Sequence, residues 1–117
     1  MTTYNGALGR RITRQGFEAR RLMEVCPDWD LNEWEMGFID SVAGSLSRGF
    51  YPSNRQTEVL NRIVEANGTT WAQISTEARA IQTIQQQEAY IRRINARGYG
   101  STARAEAIIT QAREVLN

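Results

Sequence analysis

A chain of 117 residues with 41% hydrophobic side chains can close a single core, and its net charge of +1 excludes a generic polyanion binder. No apolar run approaches the roughly 20 residues that cross a bilayer, and "MTTYNGALGRRITRQGF" lacks the apolar stretch of a signal peptide. A lone Cys26 suits a reducing compartment, so a cytoplasmic protein without membrane contact is expected.

The chain is expected to form one domain over residues 1–117. Its fold class is all-α: a compact bundle of four to five helices with a central helical hairpin. Apolar residues recur at helical spacing throughout, and no useful segment alternates with period two. The first helix is expected over about 4–25, with Tyr4, Leu8, Ile12, Ala19, Leu22, Met23 and Cys26 on one side. "CPD" then stops it. The second is expected over about 31–47, with Asp30 as N-cap and Glu33 completing a capping box. Trp29 and Trp34 then form a hydrophobic staple, and Leu31, Trp34, Phe38, Val42 and Leu46 face inward. Gly37, Ser41 and Gly44 form a small-residue stripe suited to close approach of another helix.

"SRGFYPS" is the corner. Gly49 is expected just past the helix end, Pro52 blocks continuation, and Ser53 with Gln56 starts a capped helix over about 54–66. Gln56, Val59, Leu60, Ile63 and Val64 are its inward residues. Thr70 with Gln73 caps a long fourth helix reaching about residue 96, with an apolar seam of Trp71, Ile74, Ala78, Ile81, Ile84, Ile91 and Ile94. "RGYGS" breaks it. A fifth helix, about 102–116, buries Ala105, Ile108, Ile109, Ala112 and Leu116.

Most chemistry is set aside by composition. Histidine is absent and cysteine occurs once, which removes the usual zinc, haem and nucleophile–base sets. Asp28, Asp30 and Asn32 match the first three ligand positions of a calcium loop. However, Glu33 stands where its glycine is required and Ile39 where its last glutamate belongs. Helix capping explains these acids instead. No catalytic residue, cofactor or metal is expected, and Cys26 reads as a small apolar core residue.

Binding is where the sequence points. Lysine is absent too, so all 14 cations are arginine, whose planar guanidinium suits phosphate, carboxylate and aromatic partners. Charge is segregated: residues 1–24 carry +3, residues 25–50 carry −4, and residues 69–117 carry +2. On the first helix Arg10, Arg14 and Arg21 fall within about 40° of one another, with Phe17 among them. Arg79, Gln86, Tyr90, Arg93 and Arg97 make a similar stripe on the fourth. Arginine pairs with phosphate and an exposed ring stacks on a base, so the eight residues Arg10, Arg14, Phe17, Arg21, Arg79, Tyr90, Arg93 and Arg97 are candidates for contact with nucleic acid or a partner. The same residues also suit a solvated face or a protein interface.

"WEMGFIDSVAGSLSRGFYPSNRQTEVLNRIVE", Trp34 to Glu65, resembles a helical-hairpin segment of phage and prophage proteins, with the pattern W-E-x-x-F-I-x-S, an Arg-Gly corner, then S-x-[RK]-Q-x-x-V-L-x-[RK]-I. That resemblance implies a phage origin and a DNA-metabolism setting, with no catalytic residue attached. "SNRQTEVLNRIVEANGTTWAQIS" also looks like the opening of a LuxR-type helix-turn-helix through Ser53, Arg55, Glu58, Val59 and Leu60. Ala72, Gln73, Ile74 and Ser75 follow its second part loosely, at a spacing about two residues too long. The expected function is a small non-enzymatic phage-like accessory protein that binds nucleic acid or a nucleoprotein complex through its Arg/aromatic helix faces. The alternatives are a protein-directed inhibitor or adaptor acting on a host complex (anti-CRISPR-like), and a helical assembly component that forms a homo-oligomer.

Overall fold

The computed structural model describes residues 4–5 and 10–117, with side chains from Ile12 onward. Five helices dominate: α1 (Arg14–Val25), α2 (Glu33–Ser47), α3 (Asn54–Ala66), α4 (Trp71–Arg97) and α5 (Ala103–Leu116). Ahead of α1, two-residue strands β1 (Tyr4–Asn5) and β2 (Arg10–Arg11) pair antiparallel, with Tyr4 opposite Arg11. The fold is all-α, as expected.

Local capping chemistry sets the helix boundaries. α1 starts ten residues later than expected because Thr13 caps it, its side chain accepting from Gly16 N–H at 3.1 Å. Tyr4 and Leu8, expected in the core, lie outside the residues whose side chains are described. Cys26–Asp28 is a single 3-10 turn. The box that opens α2 is Asn32 with Glu35, not Asp30 with Glu33: Asn32 accepts from Glu35 N–H at 2.8 Å, and Glu35 accepts from Asn32 N–H at 3.0 Å.

α2 ends as the sequence indicates. Gly49, at φ +90°, donates to the Leu46 carbonyl at 2.9 Å, and Phe50 N–H reaches the Ser45 carbonyl at 3.0 Å. That is a Schellman closure, which needs a left-handed residue at this position. Ser53 and Gln56 form the expected capping box of α3, which leaves Gln56 exposed rather than inward. Thr70 caps α4 through Gln73 N–H at 3.0 Å. α4 then runs unbroken for 27 residues, about 40 Å at the α-helical rise. It is the spine of a molecule measuring 53 × 33 × 23 Å.

The first half of α4 belongs to a head made with α1, α2 and α3. Ala19 and Leu22 of α1, Ile39, Val42, Ala43 and Leu46 of α2, Leu60, Ile63 and Val64 of α3, and Ile74 of α4 form its buried cluster. A smaller cluster joins Ile12, Phe17 and Ala78, with Ile81 against it. One charged side chain is buried among the described residues: Glu18, whose Oε2 accepts from the Ser75 hydroxyl at 2.7 Å. Its Oε1 is buried with no hydrogen-bond partner among them. Ser75, aligned above with a helix-turn-helix, is thus turned toward α1.

α2 corrects the sequence reading most. Its buried stripe is Ile39, Val42, Ala43 and Leu46, so Trp34 is left 64% exposed and Phe38 half-buried. The two rings shelter each other instead, stacked at 5.5 Å between centroids and 13° between planes. Leu31, one residue before the N-cap, is half-buried against the core together with Trp29. No helix approaches the small-residue stripe: a Cβ on Gly37 would meet nothing within 4 Å. Met23, expected inward on α1, is exposed as well. Trp34→Ala is therefore expected to move unfolding stability by no more than about 1 kcal/mol, the worth of an aromatic stack. A urea titration showing a loss of about 3 kcal/mol would instead restore Trp34 to the core.

Candidate nucleic-acid interface

Beyond the head, the second half of α4 pairs with α5 as an antiparallel arm, joined through residues 98–102. Ala89 and Ile94 of α4 and Ala105, Ile109 and Ala112 of α5 are buried; small side chains bring two helix axes close. Arg113 Nη2 lies 3.9 Å from Glu88 Oε2 and bridges the pair.

The turn at the end of the arm is built on two left-handed glycines. Gly98, at φ +78°, ends α4 with its N–H on the Ile94 and Asn95 carbonyls at 3.1 and 3.2 Å. Gly100, at φ +109°, lies against Ile94, where a Cβ would come within 3.3 Å of two methyl carbons. Both features exclude larger residues. Held between the glycines, Tyr99 projects with 70% of its surface exposed. The Arg97 guanidinium lies 5.1 Å from the Tyr99 ring centroid, and that of Arg93 lies 5.8 Å from the ring of Tyr90, itself 39% exposed.

Arg92, Arg93, Arg97 and Arg104 are all exposed here, and no carboxylate occurs in sequence between Glu88 and Glu106. None of the four forms an ion pair among the described residues. The grouping does not serve the fold. Like charges repel, and Arg104, in the first turn of α5, faces the positive end of that helix. Arg97, in the last turn of α4, is the one the helix dipole favours.

The eight sequence candidates divide. Tyr90, Arg93 and Arg97 meet at this tip, and Arg79 lies exposed on the same face of α4, about 27 Å nearer the head. The α1 stripe does not form. Arg10 lies in β2, outside the helix, with a side chain beyond those described. Phe17 is 2% exposed, packed on Ile12 and Ala78, and cannot reach a partner. Arg21 Nε donates to Glu77 Oε1 at 3.0 Å, half-buried between α1 and α4, and Gln73 steadies the other oxygen at 2.9 Å. Its guanidinium holds the head together. Arg14 remains exposed but lies far from the arm in sequence and on another element. Sequence reasoning passed over Arg92 and Arg104 and read Tyr99 as part of the helix-stopping "RGYGS"; the signal that finds all three is the carboxylate-free stretch around "RGYG".

Hollows among the described residues lie elsewhere. A groove of about 450 Å³ runs between α1 and α4, lined by Phe17, Arg20, Met23, Glu24, Ile81 and Gln85, with the Arg20 guanidinium 5.9 Å from the Phe17 ring. A smaller one of about 200 Å³ is lined by Cys26, Pro27, Trp29, Leu31, Met36, Ile39 and Asp40. Burial pushes the Cys26 thiol above its usual range, and the Asp40 carboxylate adds to that by repelling a thiolate. A raised pKa means less thiolate near neutrality. Alkylation by iodoacetamide at about pH 7 should therefore be slower than for a small free thiol, climb with pH, and quicken in Asp40→Asn. A rate equal to the free thiol's would contradict it.

Among the described residues no group of three or more His, Cys, Asp or Glu side chains is placed to hold a metal ion, and no helix is long and apolar enough to cross a membrane. Comparison with known proteins finds no matching family model, no matching curated protein and no matching solved structure.

Proposed function

We propose that this chain is a small non-enzymatic accessory protein that binds nucleic acid through the tip of its α4–α5 arm. The observation that carries the reading is four exposed arginines toward the end of the arm, Arg92, Arg93, Arg97 and Arg104, none in an ion pair among the described residues, with Arg93 on the exposed ring of Tyr90 and Arg97 on that of Tyr99. Guanidinium pairs bidentately with phosphate, and a tyrosine backed by an arginine offers a stacking platform to an unpaired base. The phage setting implied by the Trp34–Glu65 hairpin agrees with this role. That hairpin lies in the head, so it carries the arm rather than touching the ligand.

The test is fluorescence anisotropy of labelled single- and double-stranded oligonucleotides. If the four arginines each neutralise one phosphate, raising salt from ~50 to ~200 mM weakens duplex binding ~150-fold and single-strand binding ~50-fold. Absence of binding at the lower salt by the folded protein overturns the reading and leaves a protein-directed inhibitor or adaptor as its replacement.

A further inference from the structure

The head carries a charged end opposite in sign to the arm's tip. The run Asp28-Trp29-Asp30-Leu31-Asn32-Glu33-Trp34-Glu35 leads into α2, and no cation occurs in sequence between Arg21 and Arg48. Asp28, Asp30 and Glu33 are exposed, and none forms an ion pair among the described residues. Trp34 stands among them with 64% of its surface open. Asp30 N–H donates to Asn67 Oδ1 at 3.2 Å, and Asn67 ends α3 just ahead of the Thr70 cap of α4. The acidic end therefore sits by the start of α4, and the basic tip at its finish, about 40 Å away.

That separation forbids the two ends from meeting within one chain. Each nonetheless has what the other lacks: three carboxylates without an ion pair among the described residues and an open indole at one end, four guanidiniums without an ion pair among them and two open phenol rings at the other. Trp, Tyr and Arg are the side chains that dominate association energies, and an indole face accepts a guanidinium best of all rings. We propose that the acidic, Trp34-bearing end of the head docks the arginine-rich arm tip of a second copy of this chain. Because the two surfaces differ, the contact is heterologous. It leaves one free end of each kind on every pair and continues into open, head-to-tail oligomers rather than stopping at a twofold dimer. Nucleic acid and a neighbouring copy then compete for the same tip, but the proposal stands on the two ends alone and does not require the nucleic-acid reading.

Sedimentation velocity on nucleic-acid-free protein tests it. At ~50 mM salt the mean mass should rise with concentration without levelling at a dimer. At ~500 mM the apparent association constant should fall tenfold or more, as exposed charges become screened. Two charge-reversed chains give the decisive arm: Asp28→Arg/Asp30→Arg/Glu33→Arg at the head, and Arg93→Glu/Arg97→Glu/Arg104→Glu at the tip. Each should be monomeric alone with the helical circular dichroism of the parent. Mixed, they offer each other a basic tip for an acidic head, and two reversed ends that are again opposite in sign, so the association each chain has lost should return in the mixture. Trp34→Ala should weaken the wild-type oligomer while leaving the fold intact. A wild-type chain that stays monomeric at low salt overturns the proposal. So does self-association that survives either reversal, or a mixture of the two reversed chains that remains monomeric.

Discussion

Arg93→Ala/Arg97→Ala protein should bind a labelled duplex on the order of 100-fold more weakly than wild type at ~50 mM salt, because each neutralised phosphate contributes roughly tenfold there through counterion release. The salt slope should fall with it, from about −3.6 for four contacts to about −1.8 for two. The control is Arg14→Ala/Arg79→Ala, which removes the same charge from the head and mid-spine and should change affinity by less than about threefold if the tip is the interface. Equal losses in the two variants would mean that net charge, and not the tip, governs binding. Tyr99→Ala separates the ligands further. A base stacked on that ring is worth ~1–3 kcal/mol, so single-strand affinity should drop at least fivefold while duplex affinity holds. None of these five substitutions touches a buried residue, and the folded state should be unchanged.

The second large effect is on stability. Leu60 is fully buried and, with Ile63 and Val64, supplies the buried side of α3. Leu60→Ala should cost about 3 kcal/mol through lost transfer energy and the cavity left behind. Against a total of roughly 5–15 kcal/mol for a domain of this kind, that is a severe loss. In urea the midpoint should move down by about 2 M with little change in slope. A shift as small as that of an exposed α3 residue such as Glu58→Ala would mean that α3 is not seated on the head as described. The same experiment ranks Trp34→Ala, which should scarcely move the midpoint, against Leu60→Ala, and so tests burial directly.

The two stability variants also mark where sequence reasoning worked and where it stopped. Caps and stops were legible because they are local. Ser53 with Gln56, Thr70 with Gln73, and Gly49 and Gly98 act on groups within five residues of themselves, so their spacing carries nearly all the physics. The α2 start was misplaced by two residues because Asp30 and Asn32 are both good caps, each followed three residues later by a glutamate. Two equal local signals compete there, and spacing alone does not rank them; in the fold Asn32 is the cap, with Leu31 and Trp29 packed on the head.

Composition, charge segregation and helical periodicity by themselves settled that the chain is all-helical and where most of its helices begin and end. Tertiary packing alone decided which side of each helix is covered. A wheel ranks the faces of one helix, but burial depends on the neighbour. Phe17 went inside because Ile12 and Ala78 close over it. Trp34 stayed outside because Ile39, Val42, Ala43 and Leu46 already fill the shared core. Arg21 became a strut because Glu77, 56 residues away in the chain, came within 3.0 Å of it. Contacts over such sequence separation leave no periodic trace, and they reduce two expected arginine stripes to one basic tip at the end of an arm.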